Sequence, residues 1–140
     1  METVDVVFNI VEKTLVDLVF LKYAEIGEYF LMYPEKDECG LALIGKELEE
    51  YKILIKKFDD SIMEKLLNKK SGKDKIINLT HNEIRSLLNM IFWVKDLMGQ
   101  SAKEKKDNNI NIDDDKIVLK NLIELENKIN DIMEENGIDE

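Results

Sequence analysis

The chain has 140 residues, 44% of them hydrophobic and 36% charged, with one Pro, one Cys and a net charge of −10. That length holds one domain with its own core, without disulfides or metals, and a lone Cys39 excludes an internal disulfide. Scarce Pro and Gly disfavour a turn-rich sheet protein, and the acidic balance disfavours direct nucleic-acid binding, which needs basic surface.

Apolar residues at Val4, Val7, Phe8, Val11, Leu15, Leu18, Tyr23, Ile26, Tyr29, Phe30 and Tyr33 recur in steps of three and four. They predict a first helix over about 3–33, with strand a competing reading where Val and Phe are dense in Leu15–Tyr23. Pro34 supplies its stop, because a proline pushes the preceding residue out of helical geometry. Six of the ten aromatic residues lie in this segment. A helix apolar around most of its circumference is central in its fold or buried against a second copy. Glu2 and Asp5 replace the basic start of a secretion signal, and the Leu15–Ala24 run contains Asp17 and Lys22. A cytoplasmic protein without a membrane span is the expectation.

A second helix is expected over about 41–68, on the seam Ile44, Leu48, Tyr51, Ile55, Phe58 and Ile62. Lys69 to Lys73 end it, with Gly72 as a left-handed cap. Thr80-His81-Asn82-Glu83 reads as a capping box. It opens a third helix over about 80–98, seamed by Ile84, Leu87, Leu88, Ile91, Val94 and Met98 and stopped by Gly99. Residues 101–112 are charged, Asn-rich and aperiodic, which predicts a mobile loop. Asp113, Asp114 and Asp115 suit the positive end of a fourth helix over about 113–135, which carries Val118, Leu122, Leu125, Ile129 and Ile132 before Asn136-Gly137. No long internal repeat is evident. The expected architecture is all-α, a four-helix bundle-like single domain over 1–140, and a homodimer.

The residues that carry chemistry are few. Glu47 with Glu50, and Glu25 with Glu28, are Glu-x-x-Glu pairs on neighbouring predicted helices that suit Mg²⁺. They resemble part of the motif of all-α nucleotide pyrophosphohydrolases, whose following Glu-x-x-Asp falls here in the loop, Glu104 to Asp107. Asn109, Asn111 and Asp113 alternate like a calcium loop, but Asp114 stands where the turn needs Gly and Lys120 where a carboxylate is needed. His81 has no His or Cys companion for zinc, and no Arg a few residues before it as in helical ribonuclease folds. Glu38 beside Cys39 opposes thiolate formation. With one His and one Arg in the chain, no enzyme, cofactor or metal is expected.

Surface is the richer signal. Met90, Trp93 and Leu97 form a second apolar stripe on the third helix, and Phe20, Tyr29 and Tyr33 raise the same question on the first. Aromatic and Met side chains are enriched at protein contacts, so these six are the candidate interface. Charge is also uneven: residues 1–60 carry 14 acidic and 7 basic side chains, and residues 111–140 carry 10 and 3. Such ends suit a partner with a basic surface.

Residues 78–133, from Asn78-Leu79-Thr80-His81-Asn82-Glu83-Ile84 through Leu122-Ile123-Glu124-Leu125-Glu126-Asn127-Lys128-Ile129, resemble small helical-hairpin proteins of phages and mobile elements of AT-rich bacteria. Nineteen Lys against one Arg fit an AT-rich source. The resemblance implies a setting in which small acidic proteins disable host enzymes, as anti-CRISPR and DNA-mimic inhibitors do. The functional expectation is therefore a protein-binding inhibitor or regulator of a nucleic-acid-handling enzyme. An oligomeric scaffold or adaptor is the alternative, and a Mg²⁺-dependent pyrophosphohydrolase a second.

Overall fold

The opening residues alternate as well as winding in threes and fours, and the alternation prevails. In the computed structural model, which describes residues 2–43, 46–68 and 74–139 and their side chains except those of 59–68, Thr3–Phe8 is a strand, β1. Val6 and Phe8 are buried, while Thr3, Asp5 and Val7 face outward. The first helix, α1, spans Ile10–Met32. The expected start at Thr3 is therefore corrected. Asn9 accepts from the Glu12 amide (2.8 Å) and the Glu12 carboxylate accepts from the Asn9 amide (2.9 Å), a capping box that fixes the start.

After a 3₁₀ turn at Pro34–Lys36, Asp37 accepts from the amides of Leu41 and Ala42 at 2.6 and 3.1 Å. Helix α2 then runs Lys46–Asn68, later than the expected start at 41. The stop expected at Lys69–Lys73 with Gly72, and Ile44 and Ile62 of the expected seam, lie outside the described residues and side chains. A second strand, β2, spans Lys75–Thr80, with Ile77 and Leu79 buried and Ile76 and Asn78 exposed. It pairs antiparallel with β1, so the fold is mostly helical with a small sheet. On the exposed face Asn78 Nδ2 donates to Thr3 Oγ1 (3.0 Å) and Asp5 Oδ1 (2.8 Å).

Helix α3 spans His81–Asp107, opened by the Thr80–Glu83 capping box. It passes through Gly99, so most of the expected loop at 101–112 is helix. Ala102 is buried and Lys105 pairs with Asp115 at 3.2 Å, which ties its last turns to the next helix. Asn109, at φ 60°, makes the true stop: its amide bonds Lys106, and the Ile110 amide bonds Lys105. Helix α4 spans Asp113–Glu135, as expected, and ends in the same way at Gly137 (φ 64°), with Ile138 buried.

One constant offset of 71 residues, as from Val6 to Ile77, relates the two halves of the chain. It pairs Phe8 with Leu79, the caps Asn9 and Thr80, and Glu12 with Glu83. It carries five of the seven buried residues of α1 (Lys13, Val16, Val19, Phe20, Tyr23) onto five of the six buried in α3 (Ile84, Leu87, Met90, Ile91, Val94). It also carries Leu54 and Phe58 of α2 onto the buried Leu125 and Ile129 of α4. The chain is thus a strand–helix–helix pattern written twice. Residue identity is almost gone, which hides the repeat from a reading by letters and corrects the expectation of none.

Contacts group the chain into two compact units, Met1–Asp5 with Asn78–Glu140, and Val6–Ile77. In the C-terminal unit, α3 and α4 enclose Ile84, Leu87, Ile91, Val94, Leu122, Leu125 and Ile129, each 1% exposed or less. In the N-terminal unit the core is aromatic. Phe58 meets Phe8 and Phe20 edge-on, with ring centroids 5.3 and 5.2 Å apart. Tyr51 donates its hydroxyl to the Phe20 carbonyl at 2.6 Å. Among the described residues no helix is long and apolar enough to cross a membrane.

Candidate interaction surface

Within the C-terminal unit, one flank of α3 and the facing flank of α4 leave a groove of about 420 Å³. Residues 85, 88, 92 and 95 follow one another at helical spacing, so Arg85, Leu88, Phe92 and Lys95 share this flank, with Asn89 beside them. Glu126, Asn130 and Met133 supply the α4 side. Leu88, Phe92 and Met133 make the apolar part of the lining, and polar groups close its ends. Lys95 Nζ meets both carboxylate oxygens of Glu126 at 2.8 and 3.0 Å, with side chains 25% and 16% exposed. The same ammonium lies 5.6 Å from the centre of the Phe92 ring. Toward the other end, Arg85 donates through Nε to the Asp139 carbonyl and through Nη1 to Asn82 Oδ1 (2.8 Å). The chain's one Arg is thus held in place by its own unit.

Phe92 is the unusual member, 48% exposed on a helix whose other large apolar residues mostly face inward. Its ring stands edge-on to Trp93, centroids 5.5 Å apart. The expected stripe of Met90, Trp93 and Leu97 lies on α3 but is not part of the groove lining. Met90 is a core residue at 4% exposure, Trp93 is half-buried, and Leu97 is 37% exposed. On α1, Phe20 is buried against Phe58 and Tyr51, so its ring is used within the unit. Tyr29 and Tyr33 are exposed, their rings 5.1 Å apart, and the Lys36 ammonium lies over both. Sequence reasoning missed Phe92 because its neighbour Trp93 fits the Met90–Leu97 spacing better. The signal was there, since Leu88, Phe92 and Lys95 are also one turn apart.

No protein-family model matches the chain, and neither a curated protein nor a solved structure does. The Glu25, Glu28, Glu47 and Glu50 side chains are exposed, and among the described residues no group of three or more His, Cys, Asp and Glu is arranged to hold a metal. His81 Nε2 lies 3.7 Å from Glu2 Oε2, and Cys39 is exposed. Burial pushes the Tyr51 phenol up to about 12, with Tyr23 and Glu28 adding to it. Burial also raises Tyr23, helped by Glu47 and Asp37.

Charge is divided between the units. The residues of the C-terminal unit include 16 acidic and eight basic side chains, net −8, and those of the N-terminal unit 14 and 12, net −2. The outward side of α4 carries Asp113, Glu124, Asp131, Glu134 and Glu135, all exposed. Ion pairing of Lys95 with Glu126 and of Lys105 with Asp115 spends two of the unit's eight cations internally.

Proposed function

We propose that this chain works by binding another protein, through its acidic C-terminal unit, and that the partner presents a basic surface. The observation that carries this reading is the net −8 of that unit beside a half-exposed Phe92. Acidic surface steers a basic partner and an apolar anchor holds it. Enzymes that handle nucleic acid carry such basic grooves, and the proposed role is inhibitor or regulator of one of them, in a phage or mobile-element setting. Binding to a DNA-processing enzyme, measured by calorimetry between low and high salt, tests the reading. Affinity falling steeply with salt is expected; affinity indifferent to salt would refute it.

Self-association as a scaffold is the second reading, favoured by α1. Val11, Leu21, Tyr29, Leu31 and Met32 there, and Tyr33 that caps it, are each at least 41% exposed, on a unit close to electrical neutrality. Its test is mass by light scattering, which on this reading exceeds the 16.3 kDa chain at low and high salt alike.

A further inference from the structure

We infer that the α3–α4 groove seats a basic amphipathic helix of the partner, one of whose large apolar side chains lies on Phe92. This rests on the reading of the C-terminal unit as the partner-binding part and names the place and the chemistry of the contact. Two packed helices form a ridge-lined trough that a third helix fills. Here the trough has the apolar surface of Leu88, Phe92 and Met133, with Lys95–Glu126 and Arg85 toward its ends. A helix that uses such a trough reads as apolar anchors at i, i+3, i+4 and i+7.

The charge of the unit selects the occupant: it is net −8, and in the trough's own lining Lys95 is paired with Glu126 while Arg85 is bonded to the Asp139 carbonyl and to Asn82. Asp96 on the outer side of α3, and Asp131 and Glu134 on that of α4, are exposed. A helix with Lys or Arg beside its apolar stripe suits a unit of this charge while its stripe meets Phe92. A second copy of this chain would bring a unit of net −8 against another of net −8, which opposes it as the occupant. The exposed anchor also recurs in the repeat. Leu21, at the position of α1 equivalent to Phe92, is 58% exposed.

The test titrates the intact protein with two helical 18-residue probes, one of Leu and Lys and one of Leu and Glu in the same amphipathic order. Peptide helicity and Trp93 emission are read, Trp93 being in ring contact with Phe92. The Leu–Lys peptide is expected to bind, more weakly as salt rises, and the Leu–Glu peptide not to bind. Phe92→Ala and Phe92→Lys should weaken binding on the order of tenfold or more. Ile110→Ala, at an exposed apolar residue outside the groove lining, should leave it unchanged. Equal binding by wild type and both Phe92 variants would overturn the groove while leaving an acidic partner surface standing. No binding of the Leu–Lys peptide by any form would overturn both. A dimer that Phe92→Lys dissociates would make a second copy the occupant and likewise overturn the inference.

Discussion

Lys13 and Ile84 stand at equivalent positions of the two repeats, and both side chains are buried, to 4% and 0% exposure. Where α3 puts a branched alkane, α1 puts an ammonium whose ion pair is Asp17, one turn on, at 3.5 Å. Asp17 is itself 43% exposed. A single, half-solvated carboxylate offsets little of the cost of burying a cation.

Lys13→Ile should therefore stabilise the protein, by about 1 kcal/mol. Urea unfolding followed by circular dichroism would read the change as a higher midpoint with an unchanged slope. A lower midpoint would show that the lysine contributes more to the N-terminal unit than its neighbours indicate.

Two helical glycines separate packing from propensity. Gly99 lies within α3, and a Cβ built on it meets nothing within 4 Å. Gly99→Ala should add about 0.5–1 kcal/mol, the helix penalty of glycine. Gly27 lies within α1, where a Cβ would stand 3.2 Å from Leu43 Cγ. Gly27→Ala should give no such gain, because Leu43 must give way. Thermal midpoints of the two variants check the contrast, and equal gains would contradict it.

Tyr51 makes stability depend on alkali. Its phenol titrates near 12 in the fold against 10.0 for a free tyrosine, with burial as the main cause. A raised folded value means that the fold favours the neutral phenol. The contribution is complete below pH 10 and is lost as pH rises toward 12. Tyr51→Phe should lower stability by about 1 kcal/mol at neutral pH, through loss of the bond to the Phe20 carbonyl. It should also flatten the decline between pH 10 and 12. An unchanged alkaline slope would remove Tyr51 from that linkage.

The two capping boxes are open to the same treatment. Asn9→Ala and Thr80→Ala should each cost about 1 kcal/mol, and Thr80→Ser almost nothing. Denaturant midpoints decide it. A Thr80→Ala variant as stable as the parent would mean that β2 alone sets the start of α3.

These boxes also show what could be read in advance. Thr80-His81-Asn82-Glu83 was legible because Thr and Glu frame a helix with a clear seam. Asn9-Ile10-Val11-Glu12 has the same logic, but it was lost inside a run whose valines fit helical steps on both sides. Val4 and Val7 are three apart, so period alone could not separate a strand from a helix, and β1 went unseen. Helix α4 was legible to the residue, having both an acidic start and an Asn-Gly end. The end of α3 was not, since Gly99 imitates a stop and the Lys105–Asp115 ion pair that carries the helix onward joins residues on two elements. The groove was hidden for the same reason. Lys95 and Glu126 lie 31 positions apart, and nothing in either local sequence points to the other.

The pairing of β1 with β2 has a cost in time. A ribosome completes Thr3–Phe8 about 70 residues before Lys75–Thr80 exists, an interval on the order of several seconds at usual rates of synthesis. During that interval Val6 and Phe8 have no sheet to join, and a newborn chain in this state can be intercepted by chaperones or by the same hexapeptide of a sibling.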